Sequence, residues 1–228
     1  MAAQHYRHEY KHAINLLDYY TLRQRIQAMA RPDTHAGPDG RYHIRSLYFD
    51  NDDDKALREK LYGLPQREKY RLRIYNLNDD IIQLEKKSKA HGLCQKQSAR
   101  LTKEQANQIL AWDIAWLAQS GNPVLGEFYG KMRQQRLAPK TLVDYWREAY
   151  TYPHGNVRIT FDSDIRTGLY ATSLFDKNAP TVPTGEPGVL LLEVKYDAFL
   201  PDVIRDLLQT NTRRTAAFSK YAAARLYG

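Results

Sequence analysis

The stretch REKYRLRIYNLNDDIIQLEKKSK, residues 67–89, contains two segments of alternating polar and apolar residues with an Asn- and Asp-rich turn between them. In the first segment, Lys69, Arg71 and Arg73 fall on one side and apolar or aromatic residues on the other. A period of two is typical of a β-strand, and two such segments around a polar turn predict an antiparallel hairpin. One face of this hairpin is therefore expected to be strongly cationic.

Charged side chains also share one face in the other predicted strands. In residues 6–14, for example, Arg7, Glu9 and Lys11 alternate with histidines and tyrosines. For any single strand, a solvated outer face is a sufficient explanation. The repetition of long basic residues with one or two carboxylates on six strands instead favours faces that converge. The remaining predicted strands are 42–51, 140–152, 156–166 and 188–197.

A sheet that closes into a barrel, with helices outside, would bring these faces together in a polar tunnel. Such a tunnel suits an extended polyanion, because guanidinium and ammonium groups bind phosphate oxygens. The few glutamates would then hold a divalent cation that bridges phosphate oxygens. The sequence therefore predicts one α+β domain over residues 1–228 that is rich in antiparallel strands, and the domain would be a closed antiparallel β-barrel if its sheet closes in this way.

Helical periodicity and capping residues predict where the helices lie. Asn15 or Asp18 is expected to open the first helix, and Thr102 with Gln105 forms a capping box before another. In that second helix Trp112 and Trp116 are four residues apart, a spacing typical of a core or an interface. The predicted helices are 15–26, 52–63, 101–119, 124–137, 201–209 and 216–227.

The composition predicts a globular protein with an anionic partner. Among 228 residues, 34 are Lys or Arg and 26 are Asp or Glu, which gives a net charge of +8. A hydrophobic fraction of 43% is too high for a disordered chain. The positive excess favours nucleic acid, a phosphorylated small molecule or a membrane surface, and the net charge alone does not choose among them.

Cysteine use and hydropathy give an expected compartment. Cys94 is the single cysteine, so an intrachain disulfide and a cysteine zinc cluster are excluded. Residues 1–17 lack the uninterrupted apolar run of a signal peptide, and no run approaches the ~20 apolar residues that span a bilayer. We therefore expect a soluble, cytoplasmic protein.

Residues 8–12, HEYKH, match the H-E-x-x-H pattern of zinc proteases. That pattern carries its chemistry only on a helix, where positions i and i+4 share a face. Here the alternation predicts a strand, on which His8 and His12 would lie about 13 Å apart. We therefore expect no zinc site, and place both histidines on the outer face towards a helix layer.

Seven segments distributed along the chain carry a family resemblance. They are RHEYK, IRSLYFDN, KYRLRIYN, LEKKSK, VRITFDSDIRTG, LLEVKYDAFLP and AFSKYAAARLYG, in that order. Together they resemble the VTC (vacuolar transporter chaperone) polyphosphate polymerase domain, a branch of the CYTH-like triphosphate tunnel metalloenzymes. The resemblance runs from Tyr6 to Gly228. It implies a tunnel of about eight antiparallel strands surrounded by helices, with a C-terminal helix closing on the tunnel.

The resemblance implies an ATP-polyphosphate phosphotransferase that uses Mn²⁺ or Mg²⁺, and it implies roles for individual residues. The catalytic residues would be Lys220, Arg158, Arg73 and Glu193. The phosphate-binding residues would be Arg7, Lys11, Tyr48, Arg71, Arg73, Lys87, Lys89, Arg147, Arg158, Lys195, Ser219 and Lys220. The metal would be held by Glu193, with Glu9 and Glu85 as further candidates.

The N-terminal ExExK pattern that is usual in the superfamily is altered in this chain, where the matching residues are Arg7-x-Glu9-x-Lys11. The missing first glutamate favours a single-metal arrangement over a two-metal hydrolytic site. Eukaryotic members also carry an inositol-phosphate sensor and membrane helices, and residues 1–228 contain neither pattern. Regulation and membrane association are therefore expected either to come from a partner, such as a membrane protein, or to be absent.

Three function classes remain open. They are a polymerase that transfers the γ-phosphate of ATP to polyphosphate, a hydrolase of triphosphate or nucleoside triphosphate, and a noncatalytic polyphosphate-binding module. Glu193 argues against the third, because a pure polyanion binder gains nothing from a carboxylate that faces its ligand. The expected ligands are ATP, inorganic polyphosphate, triphosphate and pyrophosphate. Nucleic acid is not expected, because most of the 17 tyrosines fall on apolar faces and suit core packing.

Overall fold

The structure is a computed structural model that describes residues 7–90, 93–210, 214–215 and 218–226. The predicted start of the first strand at Tyr6 and of the last helix at Ala216 lie outside these residues. None of the helices within the described ranges is long and apolar enough to cross a membrane.

Within the described residues, eight long strands and three two-residue strands belong to one antiparallel sheet. The long strands are β1 (His8–Ile14), β3 (Arg41–Asp50), β4 (Arg67–Tyr75), β5 (Asn78–Ala90), β6 (Leu93–Leu101), β7 (Ala138–Tyr152), β8 (Val157–Thr167) and β10 (Leu190–Tyr196). The short strands are β2 (Arg31–Pro32), β9 (Val182–Pro183) and β11 (Arg214–Thr215). The main order across the sheet is β11-β1-β10-β8-β7-β3-β4-β5-β6.

In the part of the chain that the structure describes, seven α-helices accompany the sheet, and a short 3₁₀ turn at His154–Asn156 precedes β8. The helices are α1 (Leu16–Gln27), α2 (Lys55–Leu61), α3 (Lys103–Leu110), α4 (Ala115–Gln119), α5 (Pro123–Gln135), α6 (Asp202–Leu207) and α7 (Lys220–Leu226). The predicted α+β class is therefore confirmed.

The predicted hairpin is confirmed as β4 and β5. Its two-residue turn, Asn76 and Leu77, has positive φ at both positions, 51° and 52°, as a type I′ turn requires. The Asn76 side chain accepts a hydrogen bond from the backbone N–H of His43 at 2.9 Å, which ties the turn to β3. In the resulting register Arg71 lies opposite Glu85.

The sheet curls strongly, so strands far apart in its order meet across the interior. The Lys87 ammonium of β5 lies 2.8 Å from the Glu9 carboxylate of β1, although five strands separate β1 from β5 in the sheet order. Because side chains alternate, this curl directs the charged faces inwards and the apolar faces outwards. The expected convergence of the cationic faces is therefore present.

The expectation of a closed barrel is wrong, because the curled sheet stays open between β1 and β6. Within the described residues these edges share one backbone-paired position, Arg7 with Cys94, with N–O distances of 3.1 and 3.3 Å. Further along β1, the same edge is occupied by β11, which pairs at His12 and Ala13. A strand has two edges, so pairing with β11 excludes a continuous β1–β6 ladder there.

Two apolar layers lie on the outer faces of the sheet. One packs strands β3 to β6 against α3, α4 and α5, with Leu47, Leu72 and Phe128 fully buried in it. The other packs β8, β10 and β1 against α1 and α6 around Leu22 and Leu192. Burial of such side chains contributes about 1.5–3 kcal/mol each, which explains why the apolar sides face outwards under helices.

The predicted helix 101–119 is two helices, and the predicted Trp112–Trp116 pair does not share one helical face. The capping box is confirmed, since Thr102 Oγ1 accepts from the Gln105 N–H and Gln105 Oε1 accepts from the Thr102 N–H. The helix ends at Leu110, and Trp112 follows its C-cap residue with a φ of 63°. The Asp113 N–H donates to the Gln108 carbonyl at 2.9 Å, which closes a Schellman-type C-terminus.

Candidate active site in the curled sheet

The inner face of the sheet encloses a cavity of about 390 Å³. We call it the central cavity; among the side chains that line it are Glu9, Lys11, Arg71, Arg73, Glu193 and Lys220. Every one of these residues comes from the inward-facing positions of β1, β4 and β10 or from the start of α7. Cations outnumber carboxylates here, so the cavity favours an anionic ligand.

Glu193 is the carboxylate at the centre of this charge network. It is 4% exposed, and its oxygens lie 3.1 Å from the Lys11 ammonium and 2.9 Å from the Lys220 ammonium. Lys195 lies 3.0 Å away, and the Arg147 guanidinium 3.7 Å. Burial alone would raise the pKa of Glu193, but these positive charges outweigh it and lower the pKa well below its usual range.

Glu9 shares two of these cations with Glu193. Its oxygens lie 3.9 Å from the Lys11 ammonium and 3.7 Å from that of Lys195, and Lys87 donates to it at 2.8 Å. The surrounding lysines lower the pKa of Glu9 despite its burial. Burial lowers the pKa of Lys195 to about 8, against the opposing effect of the two glutamates.

Asp162 anchors the opposite side of the network, and it was not among the predicted site residues. Its side chain is fully buried and accepts two hydrogen bonds from Arg147, at 2.6 and 2.7 Å. It also forms an ion pair with Lys220. The signal available in the sequence was its inward position on β8, two residues beyond Thr160 and four beyond Arg158.

Helix α7 delivers Lys220 to the cavity, as the predicted C-terminal helix should. The Tyr221 hydroxyl donates to Asp50 at 2.7 Å, and its ring stacks on Tyr48 with centroids 5.0 Å apart. Near the end of the helix, Arg225 donates to Asp54 at 2.9 Å. These contacts fix the first turn of α7, so that the Lys220 ammonium lies 4.7 Å from the Tyr145 ring centre.

Arg71 and Arg73 project from β4 into the same cavity. Arg71 donates to Glu85 at 2.7 Å and to the Tyr48 hydroxyl at 2.7 Å. Arg73 donates to the Tyr145 hydroxyl at 3.2 Å. Burial would raise the pKa of Tyr48, but Arg71 and the neighbouring Lys69 lower it to about 7.

Lys69 is a second residue that the candidate assignments missed, although it shares the face of Arg71 and Arg73. Its ammonium lies 5.2 Å from the Tyr48 ring centre. Burial lowers its pKa to about 8, partly opposed by Tyr48. A cation that is costly to bury is stabilised when an anion arrives, so Lys69 belongs with the phosphate-binding candidates.

A second cavity of about 240 Å³ adjoins the first on the side of α2. We call it the α2-side cavity; Lys60, Arg67, Lys89, Phe218 and Ser219 line it. Both cavities are bordered by the same five side chains, namely Glu9, Lys11, Lys69, Lys87 and Cys94. The basic lining is therefore longer than the central cavity alone.

The structure separates some of the predicted phosphate-binding residues from the centre. Arg7 lies at the rim and pairs with Asp197 at 2.8 Å. Arg158 borders the central cavity but is paired with Asp33 and donates to the Tyr42 hydroxyl at 2.9 Å. Lys89 and Ser219 line only the α2-side cavity, where the Ser219 hydroxyl accepts from the Ala222 N–H, 3.3 Å away, in α7.

The three predicted metal ligands do not form one cluster. Glu85 is bonded to Arg71, Arg73 and Lys96, none of which contacts Glu193 or Glu9. In the described parts of the chain, no three His, Cys, Asp or Glu side chains are grouped to hold a metal. Glu193 and Glu9 fit a different kind of metal site, in which one or two carboxylates hold Mg²⁺ together with substrate phosphates.

The comparisons with known proteins place the chain in a family. Residues 6–227 match the VTC domain, and no curated protein matches. A "putative adenylate cyclase" from Bacillus halodurans has a similar structure at 15% identity and a TM-score of 0.47, covering 90% of this chain and 86% of that one. A Pyrococcus furiosus protein of 10% identity has a TM-score of 0.45, covering 89% and 85%. From the match across nearly its whole length, this chain belongs to the VTC domain family.

Proposed function

We propose that this protein is a polyphosphate polymerase that transfers the γ-phosphate of ATP to a growing chain of inorganic polyphosphate. The carrying observation is that the central and α2-side cavities are both basic and share five bordering side chains. A hydrolase needs room for one triphosphate and water. A polymerase also needs a cationic path for the acceptor chain, and the α2-side cavity offers it.

Binding of the triphosphate would rest on the cations of β4 and β1. Arg71 and Arg73 present guanidinium groups that can contact phosphate oxygens, and Lys11 and Lys69 add ammonium groups between the two cavities. Several of these cations are held by Glu9, Glu85 or Glu193 in the free protein. We expect phosphates to take over part of these contacts on binding.

In the transfer step, an ionised oxygen of the terminal acceptor phosphate attacks the γ-phosphorus, and the bond from the γ-phosphorus to the bridging β–γ oxygen breaks to release ADP. No proton has to be removed from the acceptor, so the reaction needs no general base. Lys220 and Arg147 would stabilise the charge that develops on the transferred group. A bound Mn²⁺ or Mg²⁺ would neutralise phosphate charge beside Glu193 and Glu9.

The test is an incubation of the purified protein with ATP and Mn²⁺, with products resolved by gel electrophoresis and phosphorus NMR. A ladder of polyphosphate with matching release of ADP is the expected result. Release of free phosphate without chains would contradict the proposal and indicate a hydrolase. Tight binding of tripolyphosphate without turnover would contradict it and indicate a noncatalytic binding module.

A further inference from the structure

The Asp162 carboxylate lies behind the central cavity and does not border it. Its relative exposure is 0%, and both of its oxygens are used by Arg147, through Nε at 2.6 Å and Nη2 at 2.7 Å. The two residues are direct cross-strand partners on β7 and β8. Asp162 therefore orients the guanidinium plane of Arg147 by a bidentate contact, which is a geometrically specific interaction.

The same carboxylate also holds the ammonium group that α7 supplies. Lys220 is paired with Asp162 and, at 2.9 Å, with Glu193. The Tyr145 ring lies next to both cations, with its centre 4.7 Å from the Lys220 ammonium and 5.3 Å from the Arg147 guanidinium carbon. Arg147 and Lys220 are thus held between one carboxylate and one aromatic ring.

We propose that Asp162 is a positioning residue that orients Arg147 and Lys220 together towards the transferred phosphoryl group; this rests on the proposed function. The role cannot be filled by Glu193, whose oxygens face the cavity and four cations. When Glu193 engages the ligand side of the site, Asp162 remains as the fixed partner of both cations. Asp162 acts through them and does not touch the substrate.

A purely structural role for a buried ion pair makes a different prediction, and the protein contains a matched control. Arg45 and Asp144 form another buried bidentate pair, with Nε–Oδ1 and Nη2–Oδ2 distances of 2.9 and 2.7 Å. These residues are 2% and 4% exposed and lie on the outer face of β3 and β7. Loss of either pair removes one buried carboxylate, but only Asp162 faces the candidate catalytic cations.

The experiment compares Asp162→Asn and Asp144→Asn with the wild-type protein in ATP turnover, calorimetric binding of tripolyphosphate and thermal unfolding. Both variants should lower Tm. For D162N we expect kcat to fall at least about tenfold, because a misplaced catalytic group costs rate steeply. Its tripolyphosphate Kd should stay equal or decrease, because the substitution removes a negative charge. D144N should keep both kcat and Kd.

A readout that needs no turnover separates this proposal from the proposed function. Acylation of lysines, followed by mass spectrometry, reports how firmly Lys220 is held relative to the exposed Lys103. In D162N the labelling of Lys220 should accelerate several-fold, with no change in D144N. If wild-type protein makes no polyphosphate but this change occurs, the proposed function fails and the positioning role stands.

Three results would overturn the positioning role. The first is a D162N enzyme with wild-type kcat. The second is an equal loss of kcat and of tripolyphosphate affinity in both variants, which would mean a general loss of structure. The third is unchanged labelling of Lys220 in D162N, which would show that Asp162 does not restrain it.

Discussion

Glu193 illustrates how single residues set the charge balance of this site. A buried carboxylate is costly on its own, and so are buried ammonium and guanidinium groups. Here Glu193 neutralises Lys11 and Lys220 at 3.1 and 2.9 Å, so each charge reduces the burial cost of the others. Depressed pKa values of Glu193 and Glu9 mean that this stabilisation is present at neutral pH and is lost as the pH falls into the acidic range.

Glu193→Gln is the first residue-level prediction. We expect metal-dependent turnover to fall at least ~100-fold, because the main candidate metal ligand and one stabilising charge are removed. Tripolyphosphate binding should persist or strengthen, since the cations of the central cavity lose their internal competitor. Steady-state kinetics with varied Mn²⁺ and calorimetric titration measure the two effects. Turnover that keeps its Mn²⁺ dependence would show that the metal is held elsewhere.

The pKa of Lys69, about 8 in the free protein, gives a second residue-level prediction. A bound polyphosphate raises this pKa, so binding takes up protons, and affinity should fall as the pH rises above about 8 towards the ordinary lysine range. Calorimetry at pH 8.5 in buffers of different ionisation enthalpy measures the uptake.

The control for this proton uptake is Lys69→Arg, which keeps the charge but does not titrate in this range. It should take up fewer protons than the wild-type protein, with the remainder coming from Lys195. Equal uptake by both proteins would exclude Lys69 as the source.

At the scale of elements, helix α7 is short, and its position depends on side chains from other parts of the chain. Asp50, at the end of β3, accepts from the Ala56 N–H of α2 at 2.9 Å and from the Tyr221 hydroxyl of α7 at 2.7 Å. One buried carboxylate thus links two helices beside the cavities. The stacking of Tyr221 on Tyr48 also joins α7 to β3, and the hydroxyl of the same Tyr48 accepts a hydrogen bond from Arg71.

Tyr221→Phe should loosen α7 without removing its ring packing. The lost hydrogen bond to a carboxylate is worth about 1.5–3 kcal/mol of folding stability. We expect kcat to fall several-fold, because the adjacent Lys220 is less firmly placed, while tripolyphosphate affinity changes little. Denaturant unfolding and steady-state kinetics give the two quantities.

Thr102→Ala provides the matched control for that loss of stability. It removes the hydroxyl that caps α3, far from the cavities, and should cost about 0.5–2 kcal/mol. Activity should stay at the wild-type level. A similar fall of kcat in T102A and Y221F would mean that stability in general, and not the placement of α7, limits the rate.

At the scale of the whole molecule, the two adjoining basic cavities predict that affinity depends on chain length. Tripolyphosphate would fill the central cavity, and longer chains would also reach Lys89 and Arg67 in the α2-side cavity. Lys89→Gln should therefore weaken the binding of long polyphosphate several-fold, with little change for tripolyphosphate, as a charge-assisted contact is lost. Competition calorimetry with chains of defined length measures the difference.

The control for this prediction is Lys103→Gln, an equal change of net charge at the start of α3, where Lys103 pairs with Asp79 on the surface. Measured at the same ionic strength, its affinities for tripolyphosphate and for long polyphosphate should equal those of the wild-type protein. If K103Q and K89Q weaken long chains equally, the effect comes from net charge and not from the second cavity.

Local sequence patterns were sufficient for much of the fold, because they report short-range physics. The two-residue period of 69–75 and the polar turn at Asn76 predicted the β4–β5 hairpin, and Thr102 with Gln105 predicted the start of α3. They failed where a local signal was weak or unusual. Strand β6 (Leu93–Leu101) is largely polar and was not predicted, and Trp112 follows the end of α3 with a positive φ that few residues other than glycine adopt.

The sequence by itself determined the inward cationic face, since alternation fixes which side chains share a side of each strand. Only the tertiary structure decided that the sheet curls but stays open, because β11 occupies the edge of β1 that β6 would need. It also decided that Asp162, and not Glu85, lies with Lys220 and Glu193. Such pairings depend on strand order and curl, which are long-range properties that no local period encodes.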